Sequence, residues 1–183
     1  MGSTADRVIE RINTPTLLIR ANTPSPELDR GELFRRILLP LDGSEAGEAV
    51  LPHIKELTGK VDSEVILLQV VTEGKHVHTI GGLDYVRFDN RILDSAKAKG
   101  AEYLDQAGSK LGDTRAKIRS ELKTGDTAKE IINFADEIDA SLVVMSTHGH
   151  SGIERWAFGS VTHKILHHGH THLFLVKASS EKK

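Results

Sequence analysis

The sequence predicts an α/β fold, an open five-stranded parallel sheet with helices on both faces, and two observations carry that expectation. Five short runs rich in leucine and β-branched residues lie beside turn residues: Ile37 to Leu41, Val65 to Val71, Lys117 to Leu122, Leu142 to Ser146 and Leu173 to Val176. Three of them are apolar through their middle, as strands buried on both faces are. Helical spacing fills the stretches between, and strand–helix–strand alternation builds right-handed βαβ units and so a parallel sheet.

The helices follow from spacing and caps. Ser44 is placed to cap a helix running to about Leu57, with Pro52 inside it as a kink or at a position that tolerates a lost backbone hydrogen bond. Leu93, Ala96, Ala101, Leu104, Ala107 and Leu111 recur on one helical face, as do Ile131, Ile132, Ala135 and Ile138 after the Thr124-Gly125-Asp126 turn. A last helix runs from near Gly159 to about His168, with Gly169 as its stop. The connection from Thr72 to Asn90 carries Gly74, Gly81 and Gly82 without a clear period and reads as a long loop.

Bulk properties narrow the partners. The 183 residues suffice for one domain with an appendage, and 24 Lys+Arg nearly cancel 26 Asp+Glu. No basic field therefore points to nucleic acid or an anionic membrane; a small ligand or another protein is the expected partner. The absence of Cys removes disulfides, thiolate metal sites and cysteine nucleophiles, and fits a reducing compartment. The apolar runs fall far short of the roughly 20 residues that span a bilayer, and the N-terminus lacks the apolar region of a signal peptide. A cytoplasmic location is the resulting expectation.

The first twenty residues resemble the end of the chain. At an offset of 157 positions, Gly2 to Ile9 (GSTADRVI) faces Gly159 to Leu166 (GSVTHKIL), and Thr14 to Ala21 (TPTLLIRA) faces Thr171 to Ala178 (THLFLVKA). Residues 1–21 then form a partial repeat, a helix and a strand equivalent to the last helix and strand. Residues 22–33 follow as a linker, 34–178 as the domain and 179–183 as a tail.

Ligands of open parallel sheets bind beyond the carboxyl ends of the strands, where strand order reverses. There the sequence places Asp42, in Pro40-Leu41-Asp42-Gly43-Ser44 after the first strand. After the fourth comes Ser146-Thr147-His148-Gly149-His150-Ser151-Gly152, leading to Gly159-Ser160 at a helix start. A glycine-bearing loop that feeds a helix N-terminus presents backbone N–H groups to an anion, and phosphate is its natural guest.

With these residues in view, the chain from about Phe34 to Lys177 resembles the universal stress protein family. Its ATP-binding members carry a Gly, two residues, Gly, nine residues, Gly-Ser/Thr motif after the fourth strand. Gly149, nine residues and Gly159-Ser160 match its second half, while Ser146 stands where the first glycine belongs. Leu38 to Ser44 resembles the family's first strand with its aspartate, and Val65 to Val71 its second. The resemblance implies a Rossmann-like sheet of the adenine nucleotide alpha hydrolase type, strand order 3-2-1-4-5, and an adenine nucleotide, ATP or its relatives AMP and ADP, bound with Mg. It implies that Leu41 and Asp42 meet the nucleoside, that Val70 and Met145 line the base pocket, and that Ser146, Gly149, Gly159, Ser160 and Val161 surround the phosphates. It further implies a homodimer through the edge strand Leu173 to Val176, with Thr16 to Arg20 covering an equivalent edge in its own chain or a partner's.

Three functions fit these residues: a nucleotide-binding stress-response regulator, a slow ATPase or nucleotidyl-transfer enzyme with His148 or His150 as acid/base groups, and an interaction module that binds no ATP. No nucleophile and general-base pair stands near the phosphate loop, so the first leads. Seven of ten histidines fall between His148 and His172, and His163 and His167 have the spacing of a helical metal pair, yet no acidic or Cys partner accompanies them.

Overall fold

The computed structural model describes residues 9, 11–20, 30–59, 61–72, 76–80, 83–87, 90–112, 114–147 and 159–177. In chain order the elements are β1 (Thr16–Leu18), α1 (Arg30–Leu33), β2 (Arg36–Pro40), α2 (Glu45–Glu48), α3 (Leu51–Thr58), β3 (Glu64–Val71), β4 (His76–Ile80) and β5 (Leu83–Arg87). Then come α4 (Asn90–Leu111), β6 (Lys117–Thr124), α5 (Thr127–Glu137), β7 (Leu142–Ser146), α6 (Ser160–His168) and β8 (His172–Val176).

Five parallel strands lie in the order β6-β3-β2-β7-β8, the expected 3-2-1-4-5 in the numbering of the five apolar runs. A sixth strand, β1, is added antiparallel beyond β8, so the sheet is mixed rather than purely parallel. Alternation along each strand divides the core between two faces. Ile37, Leu39, Val65, Leu67, Leu142 and Val144 pack with Val50, Ile54, Leu104 and Leu111 on the side of α3 and α4. Leu38, Ile66, Leu68, Val143 and Met145 pack with Ile131, Phe134, Ile165 and Leu166 on the side of α5 and α6.

Two expectations need correction. The helix begun by Ser44 is two helices, because the chain turns at Ala49 and Val50; Pro52 thus falls in the first turn of α3, where a missing N–H costs nothing. The Thr72 to Asn90 connection is not a plain loop but holds the antiparallel pair β4–β5, with Ile80 opposite Leu83. In the sequence, Gly81-Gly82 between Ile80 and Leu83 is a two-residue hairpin signal. Ahead of β2, α1 occupies Arg30–Leu33, and Leu33 is buried in the α3–α4 face of the core.

The N-terminal strand covers the β8 edge in its own chain. Leu17 faces Phe174, with Thr16 opposite Leu175 and Leu18 opposite Leu173. Just beyond, the Arg20 backbone N–H donates to His172 Nδ1 at 3.0 Å, and the Arg20 guanidinium donates to Leu166 O at 2.7 Å, at the carboxyl end of α6. A cation there complements the helix dipole.

His172 must be neutral to accept that bond, and burial, then the charge of Arg20, holds its pKa below the ordinary histidine value. Above about pH 6.5 the imidazole is neutral in folded and unfolded chains alike and the contribution is whole. As pH falls through that value toward the depressed folded pKa, proton uptake favours the unfolded chain. The urea-unfolding midpoint is therefore expected to drop from about pH 7.5 to about pH 5.5 more in the wild type than in His172→Gln, which cannot titrate. Equal drops would remove His172 from the pH dependence.

Candidate ligand site at the carboxyl ends of β2 and β7

Strand order reverses at β2, whose sequence neighbour β3 lies on one side while β7 returns on the other. The two sides differ in length. Pairing with β3 runs from Arg36 to Pro40 and continues with Leu41 N–H donating to Leu68 O at 2.8 Å. Pairing with β7 stops at Leu38 opposite Val143. Backbone donors alternate along a strand, so with the Leu41 N–H turned to β3, the donor facing β7 would be that of position 40, which is proline and has none. The carboxyl ends of β2 and β7 are thereby left unjoined at the switch point.

Asp42 stands at one side of this opening. Its Oδ1 accepts the Ser44 backbone N–H at 3.0 Å and the Ser44 hydroxyl at 2.5 Å, and Ser44 Oγ in turn accepts Gly47 N–H at 2.9 Å as the cap of α2. Gly43 between them has φ 83°, a left-handed conformation suited to glycine. The carboxylate is exposed yet fixed by its own turn. Behind it lies Tyr103 of α4, whose buried hydroxyl sits among Glu48, Asp42 and the Gly43 backbone. Burial first, then the carboxylates of Glu48 and Asp42, push the phenol well above its usual range. Glu48 is itself held by Lys110 Nζ at 2.5 Å.

The other side is built by β7 and α6. Thr147 N–H donates to Val176 O at 2.9 Å, and Thr147 O accepts Gly159 N–H at 3.0 Å, which joins the end of β7 to the start of α6. Thr162, buried in the first turn of α6, donates from Oγ1 to Ser146 O at 3.2 Å and pins the helix start to the strand end. Gly159 caps α6 without a side-chain hydrogen bond, and no acidic residue occupies the first turn. The first-turn N–H groups have no acceptor within the helix.

The described residues among those singled out from the sequence lie near one edge of the sheet, with distinct surroundings. Leu41 is buried on the α3–α4 face. Val70 is partly buried near the end of β3, and Val161 packs with it against the α5–α6 face. Met145, 6% exposed, is a member of that core. Ser146 is buried at the end of β7, and Ser160 is exposed on α6. Gly149, with His148 and His150, lies outside the described residues. Tyr103 and Glu48 were not foreseen; they come from α4 and α2, and only packing brings them behind Asp42.

A family model, the universal stress protein family, matches residues 33–177. The chain belongs to the universal stress protein family. Universal stress protein MJ0531 of Methanocaldococcus jannaschii is 30% identical over 145 residues, covering 79% of this chain and 83% of that one. Among solved structures, MJ0577 of the same organism has a TM-score of 0.69 at 23% identity, covering 81% of this chain and 99% of that one. A universal stress protein family member from Arabidopsis thaliana, determined with AMP bound, has a TM-score of 0.54 at 16% identity, covering 80% of this chain and 94% of that one. Both structural likenesses are below a quarter identical and speak for the fold. Among the described residues of this universal stress protein, no three His, Cys, Asp or Glu side chains gather to hold a metal, the His163–His167 pair included, and no helix is long and apolar enough to cross a membrane.

Ser44→Ala is expected to cost about 1–2 kcal/mol of folding stability in urea denaturation, because Gly47 N–H loses its acceptor and Asp42 a donor. Ser44→Thr, which keeps the hydroxyl, should recover most of it. A negligible loss in Ser44→Ala would mean that solvent caps α2 equally well.

Proposed function

We propose that this universal stress protein binds an adenine nucleotide in the opening between β2 and β7, and acts as a regulatory protein whose contacts in the stress response change with occupancy. The observation that carries the reading is the pairing of opposite requirements across that opening. A fixed carboxylate, Asp42, can accept hydrogen bonds from ribose hydroxyls, while the uncapped start of α6 offers N–H donors to phosphate.

Gly159 supports the fit. Its φ of −53° suits any residue, and a Cβ built there would meet Thr147 O at an ordinary 3.5 Å, so among the described residues neither conformation nor neighbours demand a glycine. Close approach of a ligand to the backbone is a reason for one. Val70, partly buried beside the opening, is apolar surface suited to a base, whereas Met145 supports the site from within the core. Ser146, buried at the end of β7, and Gly149 and Ser160 complete the phosphate surroundings in this reading. Mg would arrive with the phosphates, since the described residues offer Asp42 and no carboxylate cluster. The AMP found in the Arabidopsis thaliana relative is the same class of ligand.

Isothermal calorimetry with Mg-ATP and with AMP, on protein freed of bound nucleotide, tests this directly. Wild-type protein is expected to bind, and Asp42→Ala to bind about 10- to 100-fold more weakly through loss of charge-assisted hydrogen bonds. Gly159→Val should fold normally, because its Cβ has room, and still lose binding to nucleotides that carry phosphate. Absence of heat from the wild type with either nucleotide would sink the proposal.

A further inference from the structure

Helix α4 lays Tyr103 and Lys110 on one stripe, two turns apart, and that stripe faces α2 behind the Asp42 turn. Lys110 Nζ reaches Glu48 Oε2 at 2.5 Å, so the Glu48 carboxylate, on a side chain 19% exposed, already has its cation. Tyr103 packs its ring against the α3–α4 face of the core and carries its hydroxyl to the same place, among Glu48, Asp42 and the Gly43 backbone. The hydroxyl is shut off from solvent, yet none of these groups stands in hydrogen-bond geometry to it. Leaving a buried hydroxyl unpaired costs free energy, and a folded chain that keeps one calls for a reason. Burial first, then the two carboxylates, keep the phenol protonated, so the group remains a donor.

Asp42 lies between that hydroxyl and the ligand opening. Its Oδ1 rests on the first turn of α2, where a Cβ added at Gly47 would come within 2.6 Å of it, so the carboxylate has no room to retreat toward α2. The Ser44 backbone N–H and hydroxyl hold the same oxygen in place. A carboxylate has about four lone-pair sites, so Ser44 leaves acceptor capacity over. Asp42 is exposed, and water serves that capacity while the opening is wet. A ligand that covers Asp42 strips the water away, and a covered carboxylate short of donors is costly. The phenol behind it is a donor already paid for by the fold, and charge-assisted O–H···O⁻ bonds are among the strong ones.

We propose that Tyr103 is a positioning residue for Asp42: its buried hydroxyl is held in reserve and donates to the carboxylate when a ribose covers it, leaving the remaining lone pairs aimed at the ribose hydroxyls. The inference rests on the nucleotide reading above and adds a specificity to it. The phenol strengthens binding only of ligands that engage Asp42 through ribose hydroxyls, so it favours ribonucleotides over analogues that lack them. Glu48 does not compete for the donor on equal terms, because Lys110 already neutralises it.

Tyr103→Phe keeps the ring and removes the hydroxyl. In urea unfolding without ligand, the variant is expected to be as stable as the wild type or more so, since only an unpaired hydroxyl is lost. A clear loss of stability would mean that the hydroxyl is already satisfied, and overturns the proposal. In calorimetry with Mg-ATP and with AMP, Tyr103→Phe is expected to bind about 5- to 10-fold more weakly than the wild type. With the Mg complex of dideoxy-ATP, whose sugar lacks both hydroxyls, the two proteins should bind alike. Unchanged affinity of Tyr103→Phe for ATP and AMP overturns the proposal while leaving the nucleotide site standing. An equal loss with dideoxy-ATP also overturns it, because the hydroxyl would then act apart from the ribose contact of Asp42. Absence of binding to the wild type is a separate result, which removes the nucleotide reading and this inference together.

Discussion

The central strand β2 is hydrogen-bonded to β3 on one side and β7 on the other, and Ile37, Leu38 and Leu39 are fully removed from solvent. A strand buried on both faces obliges helices to cover both faces of the sheet, because each face must exchange water for apolar contact. That constraint places α3 and α4 on one side and α5 and α6 on the other. It also confines polar chemistry to the strand ends, since a polar side chain on the buried span would lose its hydration without compensation.

At the carboxyl end the constraint relaxes residue by residue. Proline at position 40 withdraws the donor that would continue pairing toward β7, and the chain leaves the sheet through Leu41 into the turn that fixes Asp42. On the opposite side, Thr147 is bonded to both Val176 and Gly159, so the start of α6 is set by the end of β7. A carboxylate and a helix N-terminus thus face a common opening without either depending on a long flexible side chain.

The outer strands solve the exposed-edge problem in different ways. Strand β6 carries charged residues, with Arg119 bonded to Glu64 and Glu121 and Lys123 to Glu137, and strong hydration of such an edge discourages further pairing. Strand β8 is apolar and would invite a partner. Strand β1 supplies one from the same chain, and the clasp of Arg20 on the end of α6 fixes where it lies.

Much of this was determined by sequence alone, because its signals are local. Apolar runs located the five parallel strands, Asp126 and Gly159 marked helix starts that the structure keeps, and the repeated TPTLLIRA and THLFLVKA segments placed a strand ahead of the domain. Resemblance of short motifs carried the family and pointed to Asp42 and Gly159. Tertiary structure decided what depends on distant partners. It broke the helix ahead of Pro52, set Met145 in the core, and packed Tyr103 and Glu48 behind Asp42. It also chose the chain's own β8 as the mate of β1. Periodicity records which face of an element is buried; it carries no record of what buries it, and those contacts join residues that only the folded chain brings together.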